Sequence, residues 1–453
     1  MNRSNKSNQS AESATRSAVE QMPIVVHLVE SLKADGFRFD GSTLLFGVQH
    51  LMQQSLVLCW ALNELGLSYD RIALAGKPYS TNPDVVDQLH SFGVTVQEPR
   101  DYDLTRTQSH ELIDDIRRLS VRFSSTKMKY LNPTALVIDD GGQALSHFVQ
   151  FVPLPYRLAG VEQTASGFWQ PGFHTVSFPV VDVGGSAVKR ICEPAIVADA
   201  AMQRIRNLID TATLGRRAGI IGLGYIGSAL YDELLKYGVE ALRFDLRSSD
   251  SFTRGADLQA LFNRCDVIFG CTGVDVTRDL ISSGQDIVGG KAEKLLVSLS
   301  SGDDEFFTLK NELLANSKQS RSYRMGQIPD VWGERRGTRF RILRNGFPIN
   351  FDNSAVSAPL YTIQGTIAAL IGASCQAFQI ARRSGVGDNL AQRTMLDSNF
   401  QRWLYRSWRP YLGSAQDERM LDLDEIGRLS AERTQPKSAQ VAPAFGLWTD
   451  AHL

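Results

Sequence analysis

The sequence is short of histidine and cysteine, shows no excess of either charge and lacks a long apolar run. Each shortage removes a class of function. Five cysteines in 453 residues fall at irregular spacings with no C-x-x-C pair, which argues against a disulfide framework. Cys59 and Cys265 sit among apolar neighbours and are expected as reduced, buried thiols of a cytoplasmic protein. No metal site is expected. Lys plus Arg (48) nearly balances Asp plus Glu (49), so no charge surplus recruits nucleic acid or a membrane surface. The longest apolar candidate, 366–380, is interrupted by Gly372, Ser374 and Gln376 and reads as a buried helix, too broken to span a bilayer. The first twenty residues, Met1 to Glu20, are polar and Ser/Asn-rich with no basic-then-apolar order, so they are expected to form a disordered tail and not a secretory signal.

What is present is an ordinary apolar share of 43% in a chain long enough for two or three domains. Apolar runs alternate with helical patterns. Leu44 to Val48, Arg71 to Ala75 and Ala135 to Ile138 read as buried strands, with helices His50 to Leu65 and Pro83 to Phe92 between them. Gly219 to Ile221, Leu242 to Phe244, Val267 to Phe269 and Leu295 to Ser298 read as a second set. Uniformly apolar strands separated by helices predict parallel sheets covered on both faces. The expected fold is therefore α/β, with two Rossmann-like domains built on doubly wound parallel sheets. A first domain over 21–194 is followed by a second over 195–350. A helical segment from 351 to 453, opening near Leu360, returns to the first domain.

The most specific motif is Gly222-Leu223-Gly224-Tyr225-Ile226-Gly227, after an apolar strand and at the opening of a helix. The first glycine permits the tight turn, the second lets backbone approach a pyrophosphate, and the third lets helix and strand pack closely. Asp245 ends the next strand about twenty residues on, where a carboxylate binds ribose hydroxyls and favours NAD over NADP. Arg247, two positions later, is the residue that could hold a 2′-phosphate instead. Thr272 and Ser300 follow the next two strands, at carboxyl ends where such sheets bind ligands.

Several segments, in order from about Leu44 to Leu370, resemble S-adenosylhomocysteine hydrolases. They are Gly47-Val48-Gln49-His50, Ser80-Thr81-Asn82, Asp139-Asp140-Gly141-Gly142, Glu162-Gln163-Thr164-Ala165-Ser166-Gly167 and Ser186-Ala187-Val188-Lys189, followed by the glycine loop and Asn350. The resemblance implies a substrate domain interrupted by an inserted NAD domain, a small nucleoside or sugar substrate, and a homo-oligomer, dimer or tetramer. It implies oxidation of a ribose hydroxyl as the first step of thioether cleavage. Lys189 would stand at the family's catalytic lysine, with Glu193, Asp140 and His50 as its catalytic companions. Gln54, Gln163 and Ser80 would face substrate. Thr164, Ser166 and Asn350 would face the cofactor beside Gly222, Gly224, Tyr225, Ile226, Gly227, Asp245, Thr272 and Ser300.

The sequence also departs from the family. Gln163 replaces a ribose-binding Glu, and an amide cannot act as a base. Met52 and Gln54 fall where the family has a Thr and a Glu, Glu193 where it has an Asp, and Pro194 where it has an Asn. Ser301 and Ser357-Ala358-Pro359 stand where it has two histidines, and 445–453 lacks its terminal Lys and Tyr. Three functions remain open on this basis: a divergent hydrolase-like NAD enzyme, a catalytically impaired NAD-binding homologue with a regulatory role, and a hydroxyacid-type dehydrogenase. The last normally needs an Arg and a His at the nicotinamide, and no histidine lies between His174 and His452.

Overall fold

The computed structural model describes residues 2–99, 102–127, 133–151, 157–170, 172–209, 217–245, 258–282, 293–320, 322–323, 326–383 and 393–412. Its strands in chain order are β1 (Leu44–Gln49), β2 (Ile72–Gly76), β3 (Thr95–Gln97), β4 (Tyr102–Asp103), β5 (Thr134–Asp139), β6 (Arg157–Glu162), β7 (Val180–Asp182), β8 (Ala218–Ile221), β9 (Ala241–Phe244), β10 (Val267–Gly270), β11 (Lys294–Ser298), β12 (Ser322–Tyr323), β13 (Val331–Arg335), β14 (Thr338–Ile342) and β15 (Arg393–Met395). The chain divides into two compact units. One takes the residues up to Pro99, Leu112–Glu193 and those from Ser354 on; the other takes Arg100–Glu111 and Pro194–Asn353.

The first unit carries a sheet ordered β15-β7-β6-β5-β1-β2-β3, parallel at every pairing. The chain winds outward from β1 through β2 and β3 in one direction. It then restarts at β5 and winds through β6, β7 and β15 in the other. That reversal makes the gap between the carboxyl ends of β1 and β5 a topological switch point, where such sheets bind ligands. β1 and β5 are buried along their whole length, as expected of strands covered on both faces. Helix Leu360–Arg383 packs along β5, β6 and β7, so the return segment closes one face of this sheet.

Two elements of this unit differ from the sequence expectation. The polar N-terminus is not a tail but a helix, Asn2–Glu20. Ala11, Thr15 and Ala18 are buried on one side of it, at spacings of four and three that share a helix face. The helix packs on helices Gln53–Glu64 and Pro83–Phe92. Small side chains make a close contact without the apolar stripe that composition would reveal. The helix expected from His50 begins only at Gln53, which leaves His50 in the loop at the carboxyl end of β1.

The second unit carries the order β13-β14-β11-β10-β8-β9. From β9 to β14 the pairings are parallel. Its switch point lies between β8 and β10. The antiparallel edge is a hairpin of β13 and β14, turned by Arg336 and Gly337, both at positive φ (47° and 78°), as a two-residue hairpin turn requires. Residues 102–111, which the sequence reading assigned to the first domain, belong here. β4 pairs antiparallel with β12. The Gln108 amide donates to Asp303 Oδ1 at 2.9 Å, and Asp303 Oδ2 accepts from buried Lys310 at 2.9 Å. Apolar residues of helix Ala187–Leu208, including Ala198, Met202 and Ile205, join Ile220, Val267, Phe269 and Val297 in this core. That helix starts at Ala187, ahead of the domain boundary expected at 195, and contains Pro194, at the division between the units. A proline there has no N–H to continue the helical ladder. Among the described residues no helix is long and apolar enough to cross a membrane. The segment from 413 to the end and Arg247 lie outside the described residues.

Candidate functional site

The switch point of the first unit gathers a buried polar cluster. Asp140 follows β5 directly and is 2% exposed. Its Oδ2 lies 3.1 Å from His50 Nε2, from the loop after β1, and its Oδ1 accepts from Lys77 Nζ, just after β2. His50 Nδ1 lies 2.5 Å from Ser80 Oγ. Since Nε2 faces a carboxylate, the network assigns the proton to Nε2, and Nδ1 accepts from the Ser80 hydroxyl. Burial lowers the His50 pKa, the Lys77 and Lys189 charges lower it further, and Asp140 opposes them. Asp140 itself is held far below the usual carboxylate range. Burial works against its charge, but Lys77 and His50 outweigh it. Lys77 is correspondingly raised: its burial opposes the charge and Asp140 overcomes that. Three adjacent strands thus contribute one residue each at their carboxyl ends, and the result is a buried ion pair carrying a neutral imidazole.

Lys189 lies in the first turn of helix Ala187–Leu208. The Ala187 amide donates to Gln401 Oε1 at 2.9 Å, and Gln401 Nε2 donates to Leu396 O. The returning C-terminal segment therefore fixes the start of this helix. Lys189 Nζ donates to the Gln163 carbonyl at 2.7 Å and to Glu193 Oε2 at 2.9 Å. An ammonium has three N–H donors, so one remains for a further acceptor. The expected residues His50, Ser80, Asp140, Gln163, Lys189 and Glu193 all lie in this unit. Gln54 sits in the first turn of helix Gln53–Glu64 with its amide on Met52 Sδ. Thr164 and Ser166 are engaged locally: the Thr164 hydroxyl donates to Glu162 Oε1 at 2.7 Å and accepts from Ser166 Oγ at 3.1 Å.

The sequence reading missed Lys77. Its signal was a lysine between Gly76 and Pro78, immediately after an apolar strand. It also did not connect three acids into one row. Asp139, Glu162 and Asp182 end β5, β6 and β7 in register, and all three are fully buried. Asp182 is neutralised by Arg393 of β15, whose Nε lies 2.9 Å from Oδ2.

In the second unit the glycine loop has the geometry that its sequence implies. Gly222 takes φ +91°. A Cβ on Gly227 would stand 1.9 Å from the Gly222 carbonyl oxygen, whereas a Cβ on Gly224 would meet nothing within 4 Å. The loop is closed on itself at its first and third glycines and open at its second. Helix Tyr225–Lys236 starts here, with Tyr225 half exposed and Ile226 packed against the core. Asp245 follows β9, and its Oδ2 accepts from the Leu223 amide at 2.6 Å. Buried Glu305, also missed from sequence, collects the loops after β10 and β11. It accepts from the Thr272 amide (2.9 Å), the Thr272 hydroxyl (2.8 Å), the Gly273 amide (2.8 Å) and the Ser300 hydroxyl. The Thr272 and Ser300 hydroxyl protons are therefore committed within the protein. The Ile349 amide donates to Ser298 O at 2.9 Å, which carries Asn350 past the end of β11. Asn350 Oδ1 is buried with no hydrogen-bond partner. Among the described residues no group of His, Cys, Asp and Glu could hold a metal ion.

No family model matches the chain. It is 30% identical over 340 residues to an uncharacterized protein of Mycobacterium tuberculosis, found in strains CDC 1551 and H37Rv, with 72% of this chain and 62% of the relative aligned. The chain thus spans about 62% of the length of the curated relatives it matches. Similar solved structures include apo D-lactate dehydrogenase from Escherichia coli, with TM-score 0.30, 16% identity, 56% of this chain and 74% of that one. Dipicolinate synthase A chain from Bacillus subtilis scores 0.32 at 11% identity, over 61% of this chain and 87% of that one. D-lactate dehydrogenase with NAD+ from Lactobacillus jensenii scores 0.32 at 12% identity, over 77% of this chain and 100% of that one. At these scores the likenesses carry no functional assignment.

Proposed function

We propose that the chain is an NAD-dependent enzyme that oxidises a hydroxyl group of a small polar substrate. The observation that supports it most is the glycine loop of the second unit. Gly224 leaves room where a pyrophosphate would approach backbone, the N-terminus of helix Tyr225–Lys236 offers amides to it, and Asp245 stands at the loop edge for ribose hydroxyls. The orphaned acceptor Asn350 Oδ1 fits a carboxamide N–H donor. When bound, NAD supplies an acceptor for the hydrogen leaving a carbinol carbon with its electron pair, and the hydroxyl proton must go elsewhere. Lys189, held by Gln163 O and Glu193, has the spare N–H to orient that oxygen, and the hydroxyl proton would pass to Glu193 through Lys189, which hands one N–H proton to the carboxylate as it takes up the one from the hydroxyl. Asp140 and Lys77 neutralise each other and burial keeps His50 uncharged, so the cluster offers dipoles rather than a net charge to a neutral hydroxyl.

The finer reading is adenosylhomocysteine hydrolase-like: oxidation of a nucleoside ribose as the opening of thioether cleavage. The order of Asp140, Gln163, Lys189 and Glu193 supports it. Ser301 and Ser357 in place of two histidines weigh against the elimination and hydration steps, since losing a positioned acid–base group costs about 10² to 10⁴ in rate. The second reading, a hydroxyacid-type dehydrogenase, shares the oxidation and needs neither of those later steps. It is the class named in the lactate dehydrogenases above, though it needs a substitute for the histidine absent between His174 and His452. Titration with NAD and NADP tests the shared reading: tighter NAD binding is expected, and binding of neither ends it. A panel of S-adenosylhomocysteine, nucleosides and 2-hydroxyacids, followed by nicotinamide reduction, separates the two. Thiol release marks the first, and stoichiometric reduction by a hydroxyacid alone marks the second.

A further inference from the structure

Two buried acids beside the Asp140 cluster have no part in the chemistry above. Asp139 and Glu162 are register partners at the ends of β5 and β6, so their side chains leave the same face of the sheet. Neither is exposed. Asp139 Oδ2 accepts from the Leu145 amide at 2.8 Å. Glu162 Oε1 accepts from the Gly141 amide (3.1 Å), the Thr164 amide (2.7 Å) and the Thr164 hydroxyl (2.7 Å). The second oxygen of each, Asp139 Oδ1 and Glu162 Oε2, is buried with no hydrogen-bond partner. Two orphaned acceptors on neighbouring strands need one donor, and a single proton between them satisfies both. The charged groups facing the pair are Lys77, which acts on Asp139, and Asp140, which acts on both. Asp182, the next acid along the row, is already matched by Arg393.

We infer that Glu162 is the positioning residue of this site, and that it is held in place by one proton shared with Asp139. The inference rests on the reading of the Lys189 cluster as the reactive centre only for its functional meaning. Glu162 Oε1 ties the turn that presents Asp140 to the loop 163–167, whose first carbonyl orients Lys189. The loop rests on the carboxyl itself: a Cβ on Gly167 would stand 2.2 Å from the Glu162 carboxyl carbon. Burial raises both acids, Asp139 raises Glu162 further, and Asp140 raises both, which favours a proton held by the pair. Once alkaline pH removes it, two like charges face each other without solvent. The 163–167 loop then lifts from Glu162 and Lys189 loses its carbonyl acceptor.

The test uses the full-length protein without substrate or cofactor, so failure of the enzyme reading leaves it intact. Infrared difference spectra between wild type and Asp139→Asn at neutral pH should show a protonated-carboxyl stretch that the variant loses. Hydrogen exchange at the Gly141 and Thr164 amides, corrected for the intrinsic rate, should accelerate about tenfold per pH unit above the pair's second ionisation in wild type. It should stay flat in Asp139→Asn, whose amide donates permanently to Glu162. Glu162→Gln, which keeps an acceptor and adds a donor, should also stay flat, and Glu162→Ala should exchange fast at every pH. Absence of the protonated-carboxyl band from wild type, or the same alkaline acceleration in Asp139→Asn, overturns the inference. Should Glu162→Ala fail to fold, the spectra and the other two variants still decide it.

Discussion

Replacing Lys77 by Met removes the cation that faces Asp140 in a site water barely reaches, with both side chains 2% exposed. Methionine fills most of the aliphatic volume, so the lost item is charge, not packing. A buried carboxylate left without its partner costs about 3–5 kcal/mol, because the penalty of desolvating it stays while the attraction goes. Urea denaturation at neutral pH should show that loss for Lys77→Met and for no substitution of a surface lysine. Asp140→Asn should also destabilise, by stranding Lys77. The double variant Lys77→Met/Asp140→Asn should recover much of the deficit, giving a coupling of about 2 kcal/mol or more, as expected of groups in one network. The pH dependence has a defined sign. Asp140 is depressed in the folded state, so its contribution is present above the unfolded carboxylate pKa of about 3.9 and drains away as pH falls through the folded value. Lys77→Met should flatten that acid limb. It should also raise the His50 pKa, since one positive neighbour is gone and Asp140 is freed to favour imidazolium; NMR titration of the ring reads this directly. Additive single variants, or a His50 pKa that falls, would refute the ion pair as the organiser of the cluster.

Gly227→Ala should abolish NAD binding in calorimetry while leaving the rest of the fold intact, because its methyl collides with the Gly222 carbonyl; unchanged affinity would separate the loop from the cofactor. Arg393→Leu should cost about 2–3 kcal/mol in chemical denaturation, somewhat below the figure for a fully buried pair because Arg393 is one-third exposed. A neutral effect would mean that Asp182 is compensated by another group. Ala18→Glu should lower the melting temperature and expose the N-terminal helix to proteolysis, since Ala18 is 2% exposed; equally rapid cleavage of the N-terminus in wild type and variant would restore the picture of a loose tail.

The parts of the fold that could be read from sequence are those whose burial is written in their own residues. β1, β5, β8, β10 and β11 have apolar centres because both faces of their sheets are covered, and each was placed within a residue or two. β6 and β7 were not read as strands: β6 opens on Arg157 and is interrupted by Gly160, and β7 is three residues long. The β13–β14 hairpin alternates buried and exposed positions at a sheet edge, where charge is normal and an apolar run is not. Helix Asn2–Glu20 escaped because alanine and threonine make its contacts. Of the candidate cluster, the His50–Asp140 and Lys189–Glu193 pairs join residues that motif order had singled out. Lys77 was not among them, because its meaning depends on a partner 63 positions away. Glu305 was overlooked, and Glu162 was read only as a motif residue beside Gln163, for a related reason: each works by collecting backbone amides from two loops, an arrangement that no local spacing encodes.

The central claim is that Lys189 serves a hydroxyl whose oxidation is carried by a dinucleotide on the glycine loop. The most direct test compares wild type and Lys189→Met, loaded with NAD, for appearance of the reduced-nicotinamide absorbance on adding the substrate panel. The account predicts equal NAD affinity in the two proteins, reduction in wild type, and a loss of at least about a hundredfold in the variant. Equal reduction rates in the two proteins, or wild type that binds NAD yet reduces it with no member of the panel, would contradict it.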